Sequence, residues 1–141
     1  MTVNQILSAK GKEVYSILST NTVYEALTVM SEKNIGAILI IEDTVLKGVL
    51  SERDYARKIV LKAKSSKKAF VHEIMEKNVV TVKPSDNLEY CMELMNGNRV
   101  RHLPVIENDL VIGIISIGDV VKAIIEMQKD TIQHLNSYIT Q

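Results

Sequence analysis

The chain has 141 residues, 46% apolar and 24% charged, a balance that excludes a disordered, collagenous or disulfide-scaffold protein. Seventeen basic residues against seventeen acidic ones leave no net charge, which argues against a nucleic-acid binder, and the single cysteine, Cys91, excludes an internal disulfide and fits a reducing, cytoplasmic location. No stretch approaches the ~18 apolar residues of a membrane span, and Met1–Lys12 lacks the apolar run of a secretory signal.

In chain order, a helical lead-in at the amino terminus is followed by a β-branched stretch at 14–18, expected to be a strand. Val23, Ala26, Leu27 and Met30 are spaced as on a helix over 22–34, with Asn21 or Thr22 as its cap. Two apolar runs, 36–41 and 45–50, flank Glu42-Asp43-Thr44 and predict a hairpin, with a helix from about Glu52. Lys62–Lys68 is polar and basic and reads as a linker. A second strand at 79–82 and a helix over 86–98, capped by Ser85 or Asp86, follow. A hairpin of 102–106 and 110–115 around Glu107-Asn108-Asp109 then leads to a final helix from about Ile117. Along that helix the stripe Ile124, Ile125, Ile132, Leu135 and Ile139 must be covered, either by its own module or by a dimer partner.

The order of elements repeats because the sequence does. Shifted by 65 positions, residues 14–60 fall on 79–125 without a gap. Val14/Val79, Met30/Met95, Ile41/Ile106, Glu42/Glu107, Gly48/Gly113, Ser51/Ser116, Asp54/Asp119 and Ile59/Ile124 are identical, and the apolar pattern between them is kept. Upstream, Val3-Asn-Gln-Ile6-Leu7 echoes Val71-His-Glu-Ile74-Met75 at an offset of 68. The expected fold class is therefore α+β, built from two tandem β-α-β-β-α copies that divide the chain into 1–65 and 66–141.

Gly-x-x-Ser-x-x-Asp occurs twice in register, as Gly48…Ser51…Asp54 and Gly113…Ser116…Asp119, between an apolar strand and a helix. One reading is structural: Ser-x-x-Asp resembles a capping box, with the acid complementing the helix dipole. The other is functional. A helix start seats phosphate, serine adds a hydrogen bond, a carboxylate one turn on accepts the two hydroxyls of a ribose, and glycine permits close backbone approach. Arg99-Val-Arg101-His102-Leu-Pro104 adds phosphate-suited donors in copy two, where copy one has the uncharged Asn34-Ile-Gly36-Ala37.

Together, the β-α-β-β-α repeat, the string Arg101-His102-Leu103-Pro104-Val105 and the twin Gly-x-x-Ser-x-x-Asp resemble the cystathionine-β-synthase (CBS) domain, two of which form a Bateman module. The resemblance covers about Val3 to Gln128 and extends to the small stand-alone bacterial members. It implies two copies packed with pseudo-twofold symmetry and a regulatory, signal-transducing module whose inter-copy clefts bind adenosine ligands: AMP, ADP, ATP, NAD or S-adenosylmethionine. Carried over by position, Asp54 and Asp119 hold ribose hydroxyls, Ser51 and Ser116 touch phosphate or ribose, and Arg53, Arg101 and His102 neutralise phosphate. Val79, Val80 and Thr81 flank the base in the Asp54 cleft, and Ile35 and Gly36 sit by the base in the Asp119 cleft. Copy two has Gly118 where copy one has Arg53, so the clefts are unequal. The family also implies a homodimer, through module faces and the final helix, and a separate regulated protein.

Two other classes compete. An enzyme is disfavoured, because no nucleophile has a base beside it and His72, His102 and His134 lack metal-ligand spacing. A non-enzymatic dimerisation protein with vestigial clefts stays open.

Overall fold

The computed structural model describes residues 1–140. Helix α1 is Val3–Lys10, followed by strand β1 (Ser16–Ile17), α2 (Val23–Lys33), β2 (Ala37–Glu42), β3 (Val45–Ser51) and α3 (Glu52–Tyr55). The last runs on as a π-helical turn, Ala56–Val60. After the linker come α4 (Val71–Ile74), α5 (Leu88–Asn98), β4 (His102–Glu107), β5 (Leu110–Ser116) and α6 (Ile117–Thr140). The fold is α+β, as the sequence predicts.

Local chemistry explains most boundaries. Thr2 and Thr22 close capping boxes with Gln5 and Glu25 at the starts of α1 and α2. The cap of α5 is Asn87, whose side chain accepts from the Tyr90 N–H at 2.8 Å, and not Ser85 or Asp86. The Asp86 carboxylate instead accepts from the Lys83 N–H at 2.7 Å and so belongs to the preceding turn. Both hairpins turn on two residues with left-handed φ, Asp43-Thr44 (50° and 67°) and Asn108-Asp109 (52° and 62°), the handedness that matches strand twist. Asn and Asp tolerate that region, whereas the β-branched Thr44 holds it against its own preference.

Grouped by packing, the chain forms two compact units that cross the boundary expected at residue 65. The copy-one unit contains Glu13–Val79 and Asn108–Val111; the copy-two unit contains Met1–Lys12, Val80–Glu107 and the residues from Ile112 onward. In the copy-one unit β1 pairs parallel to β2, and β2 antiparallel to β3 with Glu42 opposite Val45. Its core joins Val23, Ala26 and Met30 of α2 and Ile38, Ile40 and Leu50 of the sheet to Val71 and Ile74 of α4. In the copy-two unit β4 and β5 form a two-stranded sheet, and the strand expected at 79–82 shrinks to one parallel bridge, Val82 to Val105. That unit's core joins Leu88, Cys91, Met95, Leu103, Val105 and Ile115 to Val3, Ile6 and Leu7 of α1.

The lead-in helices thus pack on the copies they do not precede. Helix α1, at the head of copy one, closes the core of copy two, tied by Val3 N–H to the Asp86 carbonyl (2.8 Å) and Leu88 N–H to the Met1 carbonyl (3.0 Å). Helix α4, at the head of copy two, closes the core of copy one, tied by Val71 N–H to the Asn21 carbonyl (2.9 Å). The motif glycines make room for this. A Cβ on Gly113 would lie 2.7 Å from Leu7 Cδ2, and one on Gly48 would lie 2.9 Å from both Met75 Sδ and the Glu76 carbonyl. Leu7 and Met75 are the residues paired by the 68-residue offset, so each glycine receives the same position of the other lead-in. The close approach read as access for a ligand is occupied by protein.

Candidate functional site

Each Ser-x-x-Asp lies where an apolar strand runs into a helix. Ser51 ends β3 in extended conformation and caps α3: its hydroxyl accepts from the Asp54 N–H at 3.2 Å. Asp54 returns the bond, its Oδ2 accepting from the Ser51 N–H at 3.0 Å and hydroxyl at 2.9 Å. The capping-box reading is therefore realised. The other oxygen, Oδ1, lies 3.3 Å from Lys58 Nζ, four residues along the helix, and that amine also donates to the Ile74 carbonyl at 2.9 Å. Glu52 N–H donates to the Gly36 carbonyl at 3.1 Å, fixing the start of β2 against the start of α3. Beside this junction Ile35 and Gly36 border an open groove of about 540 Å³, lined also by Leu27, Met30, Ser31, Asn34, Glu52 and Tyr55.

Copy two repeats the geometry. Ser116 N–H donates to Asp119 Oδ2 at 2.8 Å, and Asp119 N–H donates to the Ser116 hydroxyl at 3.2 Å. Ile117 N–H donates to the Arg101 carbonyl at 2.8 Å, the counterpart of the Glu52–Gly36 bond. The cation differs in origin. Lys10, the last residue of α1, donates from Nζ to Asp119 Oδ2 at 2.6 Å and to the Ile114 carbonyl at 2.7 Å. These side chains are 32% and 20% exposed, so the pair is shielded from solvent more than an ordinary surface ion pair.

The electrostatics follow. Burial works to raise the Asp119 pKa, but the Lys10 ammonium and the Ser116 N–H and hydroxyl outweigh it and hold the carboxyl below its usual value of 3.8. Burial pushes His102 below 6.5, and the positive charges of Lys10 and Arg101 push the same way while Asp119 opposes them. His102 therefore gives up its proton more readily than a free imidazole, under the influence of two cations and one carboxylate.

The CBS domain profile matches this chain twice, at residues 8–61 and 71–126. This chain belongs to the CBS-domain family. It is 38% identical over 147 residues to the mitochondrial CBS domain-containing protein CBSX3 of Arabidopsis thaliana, covering 98% of this chain and 71% of that one. Among solved structures it is similar to a CBS-domain protein from Burkholderia ambifaria MC40-6 (46% identity, TM-score 0.87, 89% and 95% of the two chains). It is also similar to the CBS domain NE2398 (43% identity, TM-score 0.85, 89% and 98%). At 22% identity and a TM-score of 0.78, the CBS domain pair of MJ0100 shares the fold over 88% of this chain and 95% of that one. That structure is a complex with 5′-methylthioadenosine and S-adenosyl-L-methionine.

The CBS fold divides the residues singled out in the sequence between the two units. The copy-one unit holds Ile35, Gly36, Ser51, Arg53, Asp54 and Val79. The copy-two unit holds Val80, Thr81, Arg101, His102, Ser116, Gly118 and Asp119. Val79 and Val80 are half-buried and Thr81 exposed, in irregular chain before the Val82 bridge. Gly118 is exposed in the first turn of α6, and Arg53 is half-buried on α3. Sequence reasoning missed both lysines. Lys58 carried a readable signal, an acid four residues before a lysine on one helix. Lys10 carried none, because its acid is 109 residues away.

Proposed function

We propose that this CBS-domain protein is a regulatory module that binds an adenosine-containing ligand at its Ser-x-x-Asp helix starts. The observation that carries the reading is the cluster around Asp119. A carboxylate able to accept ribose hydroxyls lies at the start of a 24-residue helix, Lys10 donates to it at 2.6 Å, and the charges of Lys10, Arg101 and Asp119 all act on His102. A helix cap needs a serine and an acid; it does not need three potential phosphate donors. The adenosine ligands of the MJ0100 pair support the class. AMP, ADP, ATP and NAD are the candidates, with Ser51, Asp54, Ser116 and Asp119 toward ribose and phosphate and Arg53, Arg101 and His102 toward phosphate. Val79, Val80, Thr81, Ile35, Gly36 and Gly118 supply the backbone surroundings. The response passes to a second copy of the chain or to a separate regulated protein.

Calorimetric titration of AMP, ADP, ATP, NAD and S-adenosylmethionine tests this. Asp54→Ala and Asp119→Ala are each expected to remove one binding event. Each also costs about 1 kcal/mol of helix cap, so melting is followed in parallel. Unchanged binding in the double variant rejects the assignment.

A second reading has its own support. Both acids are engaged in capping their own helices. From Gln128 onward every described residue of α6 is exposed, including Ile132, Leu135 and Ile139 at 57%, 53% and 77%. Packing on its own module does not cover that stripe. In this reading the helix pairs with a second copy, and a stable dimer that binds no nucleotide at millimolar concentration would favour it.

A further inference from the structure

Both acids of the motif meet a lysine, and the two lysines are not repeat equivalents. The counterpart of Lys58 in copy two is Ala123, and the counterpart of Lys10 at the 68-residue offset is Asn78. In each copy the amine bridges the carboxylate to a backbone carbonyl, Ile74 for Lys58 and Ile114 for Lys10. The copy-two contact is the closer, 2.6 Å against 3.3 Å, and Lys10 is brought in by a helix from the far end of the chain.

We propose that Lys10 is the specificity-determining residue of the Asp119 site, selecting adenosine ligands that carry phosphate over neutral or cationic ones. This rests on the reading of Asp119 as a ribose acceptor. A ribose that takes the Asp119 carboxylate must share or displace the Lys10 ammonium, which donates to Oδ2. A neutral nucleoside leaves that ammonium with a lost partner, and a hydrogen bond to a charged group counts for more than a neutral one. A nucleotide returns a partner, because its phosphate accepts from the same ammonium. Lys10 and Arg101 both bring positive charge to bear on His102, against the one carboxylate of Asp119. A phosphate monoester brings roughly −1.5 to −2 at pH 7 and is attracted to these cations, whereas the sulfonium of S-adenosylmethionine adds to the positive charge. The binding chemistry assigned to this site is therefore that of a nucleoside phosphate.

The test uses the full chain carrying Asp54→Ala, so that the Asp119 site alone reports, and titrates AMP, adenosine and S-adenosylmethionine. The Lys10 protein is expected to prefer AMP to adenosine by roughly tenfold or more, the worth of one charge-assisted hydrogen bond. Lys10→Met is expected to bring that ratio close to one, mainly by weakening AMP, and Lys10→Arg to restore the preference. A parallel loss of AMP and adenosine binding in Lys10→Met, with their ratio kept, overturns the inference and makes Lys10 merely a strut for α1. An unchanged AMP affinity overturns it as well. If no adenosine ligand binds even the unsubstituted chain, the ribose reading itself falls, and this inference with it.

Discussion

Leu7 and Gly113 are a lock whose two halves can be changed separately. Leu7 is fully buried, and a Cβ added at Gly113 would meet its Cδ2, Cδ1 and Cγ at 2.7, 3.0 and 3.5 Å. Leu7→Ala leaves a cavity and is expected to cost about 2–5 kcal/mol. At about 3 °C per kcal/mol for a chain of this length, that is a fall of about 6–15 °C in melting temperature. Gly113→Ala overpacks the same spot and is expected to cost about 1–3 kcal/mol. Leu7→Ala deletes all three atoms that the new methyl would strike, so the double variant is expected to be no less stable than Leu7→Ala alone. Copy one supplies the contrast. Met75→Ala would remove the sulfur facing Gly48 but leave the Glu76 carbonyl, 2.9 Å from the added Cβ and held by the Val49 N–H at 3.0 Å. Gly48→Ala is therefore expected to stay costly in the Met75→Ala background. Urea unfolding followed by circular dichroism measures all six variants. Penalties for Leu7 and Gly113 that add to within about 0.5 kcal/mol would refute the packing of α1 against β5.

Two further outcomes are expected. A histidine whose folded pKa lies below its unfolded value of about 6.5 binds its proton more readily in the unfolded chain, so its neutral form supports the fold above pH 6.5 and that support is lost as the pH falls toward the folded value. The urea midpoint should drop between pH 7.5 and 5 by less in His102→Asn than in the unsubstituted protein, and equal drops would show that His102 is not the group responsible. The α6 stripe gives the other: Ile132→Glu with Leu135→Glu should leave the melting of the two cores in place and convert an oligomer to monomers by light scattering. An unsubstituted chain that is monomeric at high concentration would remove this role for α6.

The repeat, the α+β class and nearly all the helices and hairpins were legible because they rest on local chemistry. Apolar spacing marked α2 and α5, Thr22 capped as expected, and the polar triplets between apolar runs contain the two-residue turns Asp43-Thr44 and Asn108-Asp109. The stretch 79–82 forms no strand because β-branched composition does not supply hydrogen-bond partners: Val82 alone finds a bridge, and Val79–Thr81 remain irregular. The cap of α5 shifted by one residue because Asp86 was already committed to Lys83.

The sequence by itself determined that Ser51, Asp54, Ser116 and Asp119 stand at two helix starts, since strand, cap and helix are dictated within a few residues. Only the tertiary structure decided what meets them. It exchanged the lead-in helices between the copies, filled the space over Gly48 and Gly113 with Met75 and Leu7, and carried Lys10 to Asp119. Apolar periodicity says that a helix must bury a face but not against which partner, and Coulomb attraction acts through space without regard to position along the chain.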